Sequence, residues 1–455
     1  MADNYILLER TELNTDAASV TFSNIPQSGY TDLKIVTSAR GTASLSSGYV
    51  DGIITFNGST TGYSERMVYG IGSSAGSLSQ SSTGIKWNFA TSSVATASTF
   101  GNSEAYIPNY TSSNNKSVSI DTVAENNSST VNILALNAGL WSNTAAITSI
   151  TITAGSGSFV ANSTFSLYGI AALGTTPVIA PKAIGGNRID NDGTFWYHTF
   201  TSSGTFTPLQ GITASLLVIG GGGGGGHYVG GGGGAGGYQV FTSQALTATN
   251  YSCTIGAGGA GGTSAGAGTD GASTTFTGLS ASIGGGGGGT YNTAGRNGAS
   301  GGGGTAATGF TAGGTGTQGF NGGNAGGVSN NYPAGGGGGA GAAGQNGISD
   351  TTGGAGGAGK NSESAWASVT GTGVSGFYGG GGGGGVYQQI AGSAGAGGSG
   401  GGGAAGAIGG NNVGAAGVVN TGSGGGGASG TSASPKADGG AGGSGIIIIR
   451  YPIAS

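Results

Sequence analysis

From Gly211 to the C-terminus, 92 of 245 residues are glycine, many in uninterrupted runs such as Gly220–Gly226, Gly284–Gly289, Gly335–Gly339 and Gly379–Gly385. Average chains carry roughly 7% glycine, and so strong an excess leaves few ways to be ordered. Collagen needs glycine at every third position with abundant proline. Here the glycines are consecutive and only Pro333, Pro435 and Pro452 follow Gly211, which excludes it. A linker or disordered tail would be solvated by polar and charged residues. Residues 211–455 hold only Arg296, Lys360, Lys436 and Arg450 against Asp270, Asp350, Glu363 and Asp438.

The segment is framed by two apolar, β-prone stretches, Ser215–Ile219 and Ile446–Tyr451, which predict paired central strands. Between them the remaining solution is a bundle of extended, threefold polyproline-II-like segments. Without Cβ atoms their backbones approach closely and exchange N–H and C=O bonds sideways. Ordering each residue costs on the order of 1–2 kcal/mol, so the lateral bonding has to be nearly complete for the segment to fold at all.

The first 210 residues read differently. They contain 20 glycines, eight Lys or Arg and twelve Asp or Glu, so the whole net charge of −4 lies there. Neither part is a basic nucleic-acid footprint. The start, MADNYILLER, has no basic region followed by an apolar core, and no stretch reaches the ~18 apolar residues of a membrane span. A soluble, leaderless product without membrane insertion is expected. The lone Cys253 excludes an internal disulfide and reads as a small buried side chain.

Between Val20 and Ala172, short β-type segments recur: SVTFSNI, DLKIVTSAR, YVDGIITFNG, GIKWNFA, SVSIDTV, TVNILAL, ITSITIT and TFSLYGI. Apolar alternation in Val50, Ile54 and Phe56, in Val118 and Ile120, and in Phe165 and Leu167 predicts an antiparallel β-sandwich. The fold class is therefore all-β: a sandwich over residues 1–175, an extended linker over 176–189 with Pro177 and Pro181, and a glycine-rich domain over 190–455. Asn191–Gln210 carries Phe195, Trp196, Tyr197, Phe200 and Phe206 and is expected to form the first hairpin of that domain.

Short inserts interrupt the glycine runs at 227–229, 291–297, 328–333, 360–369, 377–378 and 386–390. Their candidate contact residues are His227, Tyr228, Tyr291, Arg296, Tyr332, Trp366, Phe377, Tyr378 and Tyr387. Such aromatics either seal the ends of a backbone-only bundle or stand exposed as a binding tip. Tyr and Trp among Asn, Ser and Gly is the composition of binding loops on rigid frames, and aromatic faces stack on sugar rings.

Catalytic and cofactor motifs are weak. Gly354–Lys360 (GAGGAGK) nearly spells a phosphate loop, but Asn361 replaces the Mg²⁺-binding hydroxyl and no strand precedes it. His198 and His227 lack triad or metal-ligand spacing. The carboxylate pairs Asp121 with Glu125 and Asp190 with Asp192 are the only candidates for sugar cleavage, and both read equally as loop acids. No enzyme activity, cofactor or metal is expected.

The pieces GTFTP, SLLVIGGGGGGG, YSCTIGAGGAGG and GGSGIIIIRYP, spanning about residues 194–453, resemble the glycine-rich domain of bacteriophage tail fibres and adhesins. FSNIPQSGYTDLKIV, YIPNYTSS, WSNTAAITSITIT and FSLYGIAALGTTPVIAP resemble the sandwich domain of virion proteins from phages of marine bacteria and cyanobacteria. The resemblance implies a polyglycine-II sandwich with receptor-contacting loops, located on the virion surface. It implies docking to other virion proteins through residues 1–175, and contact with a host glycan or outer-membrane protein through the inserts. No coiled-coil heptads or shaft repeats are present, so trimerisation has no support in the sequence, and the homo-oligomeric state stays open. A capsid decoration protein or head fibre is the alternative, and a polysaccharide depolymerase is a third reading.

Overall fold

The computed structural model describes residues 5–23, 25–125, 132–171, 180–264, 266–291, 293–305, 311–327, 332–348, 352–387, 393–408, 412–430 and 436–453. The chain divides into two compact units, one formed by residues 1–182, 187–196 and 452–455 and the other by 183–186 and 197–451. Both are built almost entirely without helix, and the fold is all-β.

The first unit contains β1 (Tyr5–Glu12), β2 (Ser19–Phe22), β3 (Tyr30–Ala39), β4 (Tyr49–Phe56), β5 (Tyr63–Ile71), β6 (Ser74–Ser82), β7 (Ile85–Thr91), β8 (Gly101–Ile107), β9 (Lys116–Ala124), β10 (Ile133–Trp141), β11 (Ile150–Ala154) and β12 (Thr164–Ala171). In the stretch expected as linker, β13 (Ala183–Ile184) and β14 (Arg188–Asn191) form instead, while 176–179 lie outside the described residues. Arg188 and Ile189 of β14 pair with β1, so β-forming residues there find a partner strand and do not stay a free connector.

All eight β-type segments read from the sequence contain strands. A large antiparallel sheet runs β14-β1-β12-β3-β8-β9-β10-β5-β6, and a second runs β2-β11-β4-β7. Leu33, Ile35, Phe165 and Leu167 from the first sheet meet Phe22, Ile54, Phe56, Ile152, Trp87 and Phe89 from the second in one buried core. Burial of every second residue along β9 and β10 shows the period of two that sets which face each side chain takes. β1, β5, β6 and β8 escaped the pattern search. Polar stretches such as SAGSLSQSS and GNSEAYI become strands through pairing rather than through their own composition.

The second unit contains β15 (Phe195–Phe200) from Tyr197 onward, β16 (Gly204–Pro208), β17 (Ile212–Ile219), β18 (Tyr238–Leu246), β19 (Tyr251–Thr254), β20 (Thr275–Phe276), the two-turn helix α1 (Ser364–Thr370) and β21 (Ile446–Pro452). The framing strands pair as expected: β17 lies antiparallel to β21, from Ser215 opposite Arg450 to Ile219 opposite Ile446. The expected hairpin over Asn191–Gln210 does not form. β15 lies beside β21, whereas β16 pairs with β13 and β19 in another sheet.

Beyond β17 the backbone keeps extending but its hydrogen bonds turn through three directions. Gly220, Gly223 and Gly226 donate N–H to Gly237, Gly234 and Gly231 at 3.0, 2.8 and 2.9 Å. Gly221, Gly224 and His227 donate to Ala272, Thr269 and Gly266, and Gly222, Gly225 and Tyr228 to Gly443, Gly440 and Ala437. A repeat of three, with no bonds inside the segment, is the signature of the threefold extended helix. Donor and acceptor needs are met by neighbours on all sides.

The run 230–236 shows the lattice at its centre. It is bonded to Gly223, Gly286, Gly303, Gly338, Gly382 and Gly425, each from a different segment, at 2.7–2.9 Å. Six neighbours around one strand is hexagonal packing, possible only where no side chain intervenes. A Cβ on Gly382 would lie closer than 3 Å to the Gly425 carbonyl, and one on Gly233 would meet Gly223 in the same way. Glycine here is the packing surface itself.

Candidate functional site

The runs go back and forth between the framing strands and a far end. Gly226, Gly289, Gly335, Gly385 and Ala428 are linked there through Gly226 N–H to Gly231, Gly231 to Gly289, Gly232 to Gly335, Ala334 to Gly385 and Gly230 to Ala428. These five runs therefore bring the stretches beyond them to the same place. Tyr228 stacks on Tyr291 with ring centroids 6.0 Å apart and planes 29° from parallel. Tyr387 meets Tyr228 edge-on at 6.0 Å and Tyr332 at 5.9 Å. Four tyrosines separated by up to 159 residues form one cluster.

Lys436 completes it, with its ammonium 3.7 Å from the Tyr228 ring centroid. This is cation–π geometry. His227 lies beneath, nearly buried, its Nε2 3.9 Å from Asp438 Oδ1 and its carbonyl accepting a 2.6 Å bond from Thr290 Oγ1. Desolvation, with Tyr387 next in importance, pushes the Tyr228 phenol up to about 12, so it stays a neutral donor and acceptor. Tyr291 is half exposed, and Tyr228, Tyr332 and Tyr387 are partly exposed.

Among the described residues, the non-glycine positions with left-handed backbone are Asn or Ser except for three at this end. Tyr228, Val229 and Tyr332 have φ of 40°, 55° and 41°, in the left-handed region that bulky residues avoid. Each costs on the order of 1–3 kcal/mol and persists only where surrounding structure imposes it. The lattice supplies that constraint, since Tyr228 N–H is held by Ala437 O and Gly230 N–H by Ala428 O. The inserts at 328–333 and 386–390 lie partly outside the described residues, which include Tyr332, Pro333, Val386 and Tyr387.

The other candidates sit elsewhere. Trp366 on α1 is buried, packed edge-to-face on Tyr197 at 6.3 Å and covered by the Arg450 guanidinium at 4.4 Å. Tyr378 is fully buried against Tyr238, whose hydroxyl bonds the Glu363 carboxylate. Phe377 is half-buried in a tight bridge to Val374. For Trp366, Tyr378 and His227 the expectation of contact residues is corrected: their rings are closed off by packing, so they offer no face to a ligand. Arg296 is exposed on the flank of the bundle, its N–H on Gly287 O, with a bidentate ion pair to Asp270 at 2.7 Å.

Lys436 and Asp438 were missed because nothing in their local sequence sets them apart. Their scarcity was the available signal, as two of eight charged residues after Gly211.

The remaining motifs are absorbed by structure. The amides of Gly354, Gly356, Gly357 and Gly359 donate to Ala334, Ala396, Gly337 and Ser399, so GAGGAGK has no free cradle for phosphate. His198 is buried between Gly185 O at 2.7 Å and the Tyr451 hydroxyl at 2.9 Å, and burial lowers its pKa to about 4. Cys253 is buried, which raises its thiol to about 12. Asp190 is buried on Arg188 at 2.7 Å, beside Glu9, whereas Asp192 caps a turn by accepting the Thr194 and Phe195 amides. Among the described residues no group of three or more His, Cys, Asp or Glu could hold a metal, and no described helix is long and apolar enough to cross a membrane.

No curated protein and no solved structure matches the chain. A family model described as a glycine-rich domain matches residues 200–452, more than half of the chain, and covers the lattice and its framing strands. By that match, the protein belongs to the glycine-rich domain family.

Proposed function

We propose that this is a phage virion protein, a tail-fibre adhesin whose glycine lattice presents a tyrosine tip to the host surface. One observation carries the reading: Tyr228, Tyr291, Tyr332 and Tyr387, from four separate inserts, converge at one end of the lattice beside Lys436. A cluster needed only to seal the bundle would be apolar and covered. This one carries four hydroxyls, an exposed ammonium and strained backbone. Stacked phenols offer flat faces to sugar C–H groups and hydroxyls to their oxygens. The lattice holds these loops in place before a ligand arrives, so little entropy is lost on binding, and many copies per particle convert weak contacts into firm attachment. The first unit would dock on the particle, and the phage setting rests on the sequence resemblance.

The test has two arms. Antibody against the chain should label tail tips in electron micrographs of virions; labelling on the capsid shell would favour a decoration protein or head fibre. Replacing Tyr228, Tyr291, Tyr332 and Tyr387 with Ala should abolish adsorption of the purified chain to host cells while the lattice amides stay protected from exchange. Undiminished adsorption by that folded variant would overturn the tip as the contact site.

A further inference from the structure

Among the strands that end the two sheets of the first unit, β14 is four residues long, and β2, β7 and β6 differ in how their edges are closed. β2 is only four residues long. β7 is covered by side chains of the opposite sheet: Glu65 Oε2 accepts the Lys86 N–H at 2.8 Å, and Asn137 Nδ2 donates to the Lys86 carbonyl at 2.7 Å. β6 has neither protection. It is nine residues long, ends the large sheet, pairs with β5 along its whole length, and no described strand pairs its other side. Its sequence, SAGSLSQSS, contains no charge and no proline, the two devices that normally blunt an exposed edge. Among the described residues, a row of backbone N–H and C=O groups therefore stands open.

We propose that β6 is a homodimer interface, pairing antiparallel with β6 of a second copy across a twofold axis at Leu78. A second copy fits for three reasons. The strand is uncharged, so it meets its own image without repulsion. Residues directly opposite must share a face, and centring on Leu78 satisfies this for all nine positions, setting Ser77 against Ser79 and Gly76 against Gln80. Leu78 also packs against the small cluster of Met67, Ala124, Ile133 and Ala135, and a second Leu78 opposite it would extend that cluster over the joint. The result is a continuous sheet across two subunits.

This inference is independent of the tyrosine tip, and its test reads oligomeric state. Sedimentation of the full chain over a concentration series should show a monomer–dimer equilibrium. S77K/S79K sets like charges opposite each other twice across the axis and should raise the dimer dissociation constant at least about tenfold. S77K/S79E sets opposite charges at the same positions and should restore the dimer. All three proteins should melt alike by circular dichroism when dilute. A monomer at every concentration, or equal dimerisation by both variants, would overturn the proposal.

Discussion

The two units solve the same problem with opposite materials. In the first, large side chains from two sheets interlock: Phe56 and Trp141 lie 5.5 Å apart, and Phe89 and Phe165 6.2 Å apart, in a core closed to water. In the lattice of the second, the interior is main chain, and each segment is held by bonds to neighbours in three directions. A side-chain core tolerates volume changes at the cost of a cavity, because rotamers and neighbours adjust. A backbone lattice has no such slack, since a single added methyl strikes a carbonyl that cannot move without breaking its own bonds.

The largest effect should follow from breaking that lattice. Gly382→Val drives a branched side chain into the Gly425 carbonyl at the centre of the bundle. The expected result is loss of cooperative melting of the second unit, read as loss of amide protection across residues 220–445. Gly211→Ala is the control, because nothing lies within 4 Å of its added carbon, and it should melt like the parent. Trp87→Ala tests the other material. A cavity in the sandwich should cost about 3–5 kcal/mol in urea unfolding, leaving a weakened but cooperative transition.

Acid should pull the units in opposite directions. Folded Asp190 is held up to about 6, chiefly by burial, against 3.8 when unfolded, and burial also raises its neighbour Glu9. The folded first unit thus binds more protons between those values, and these groups add stability as pH falls from 6 toward 4. His198 is lowered to about 4 by burial, against 6.5 when unfolded, so the unfolded second unit binds more protons and stability falls as pH drops from 6.5 to 4. The His198 effect approaches roughly 3 kcal/mol. Unfolding followed by peptide-resolved labelling across this range should show the two trends, with Asp190→Asn removing the gain in the first unit.

The smallest effect belongs to the flank. Arg296 and Asp270 form a well-aligned pair, but their side chains are 54% and 38% exposed. Arg296→Ala should cost under about 1 kcal/mol, less in high salt. A larger loss would mean that side chains brace the lattice after all.

Much of this protein was legible in the residues. Short β-type segments marked eight of the strands, three of them by the period of two that a half-buried sheet needs, and SLLVI and IIIIRY announced the central pair. The glycine runs, their lack of charge and their lack of proline left an ordered threefold bundle as the only consistent state. β6 and β8 were invisible because their polar sequences gain strand character only from neighbours. Helix α1 was hidden in KNSESAWASV because seven residues make too few turns for a periodic stripe.

The site divides along the same line. Composition named the inserts and their aromatics, but an insert is a local fact and a cluster is not. Sequence determined that rigid bare backbone would carry loops rich in tyrosine. Only the lattice decided that Tyr228, Tyr291, Tyr332 and Tyr387 would meet beside Lys436 while Trp366 and Tyr378 turned inward. The reason is that each insert's position depends on the direction and register of the runs beside it. These are set by hydrogen bonds between residues up to 221 apart in the chain, such as Gly222 with Gly443.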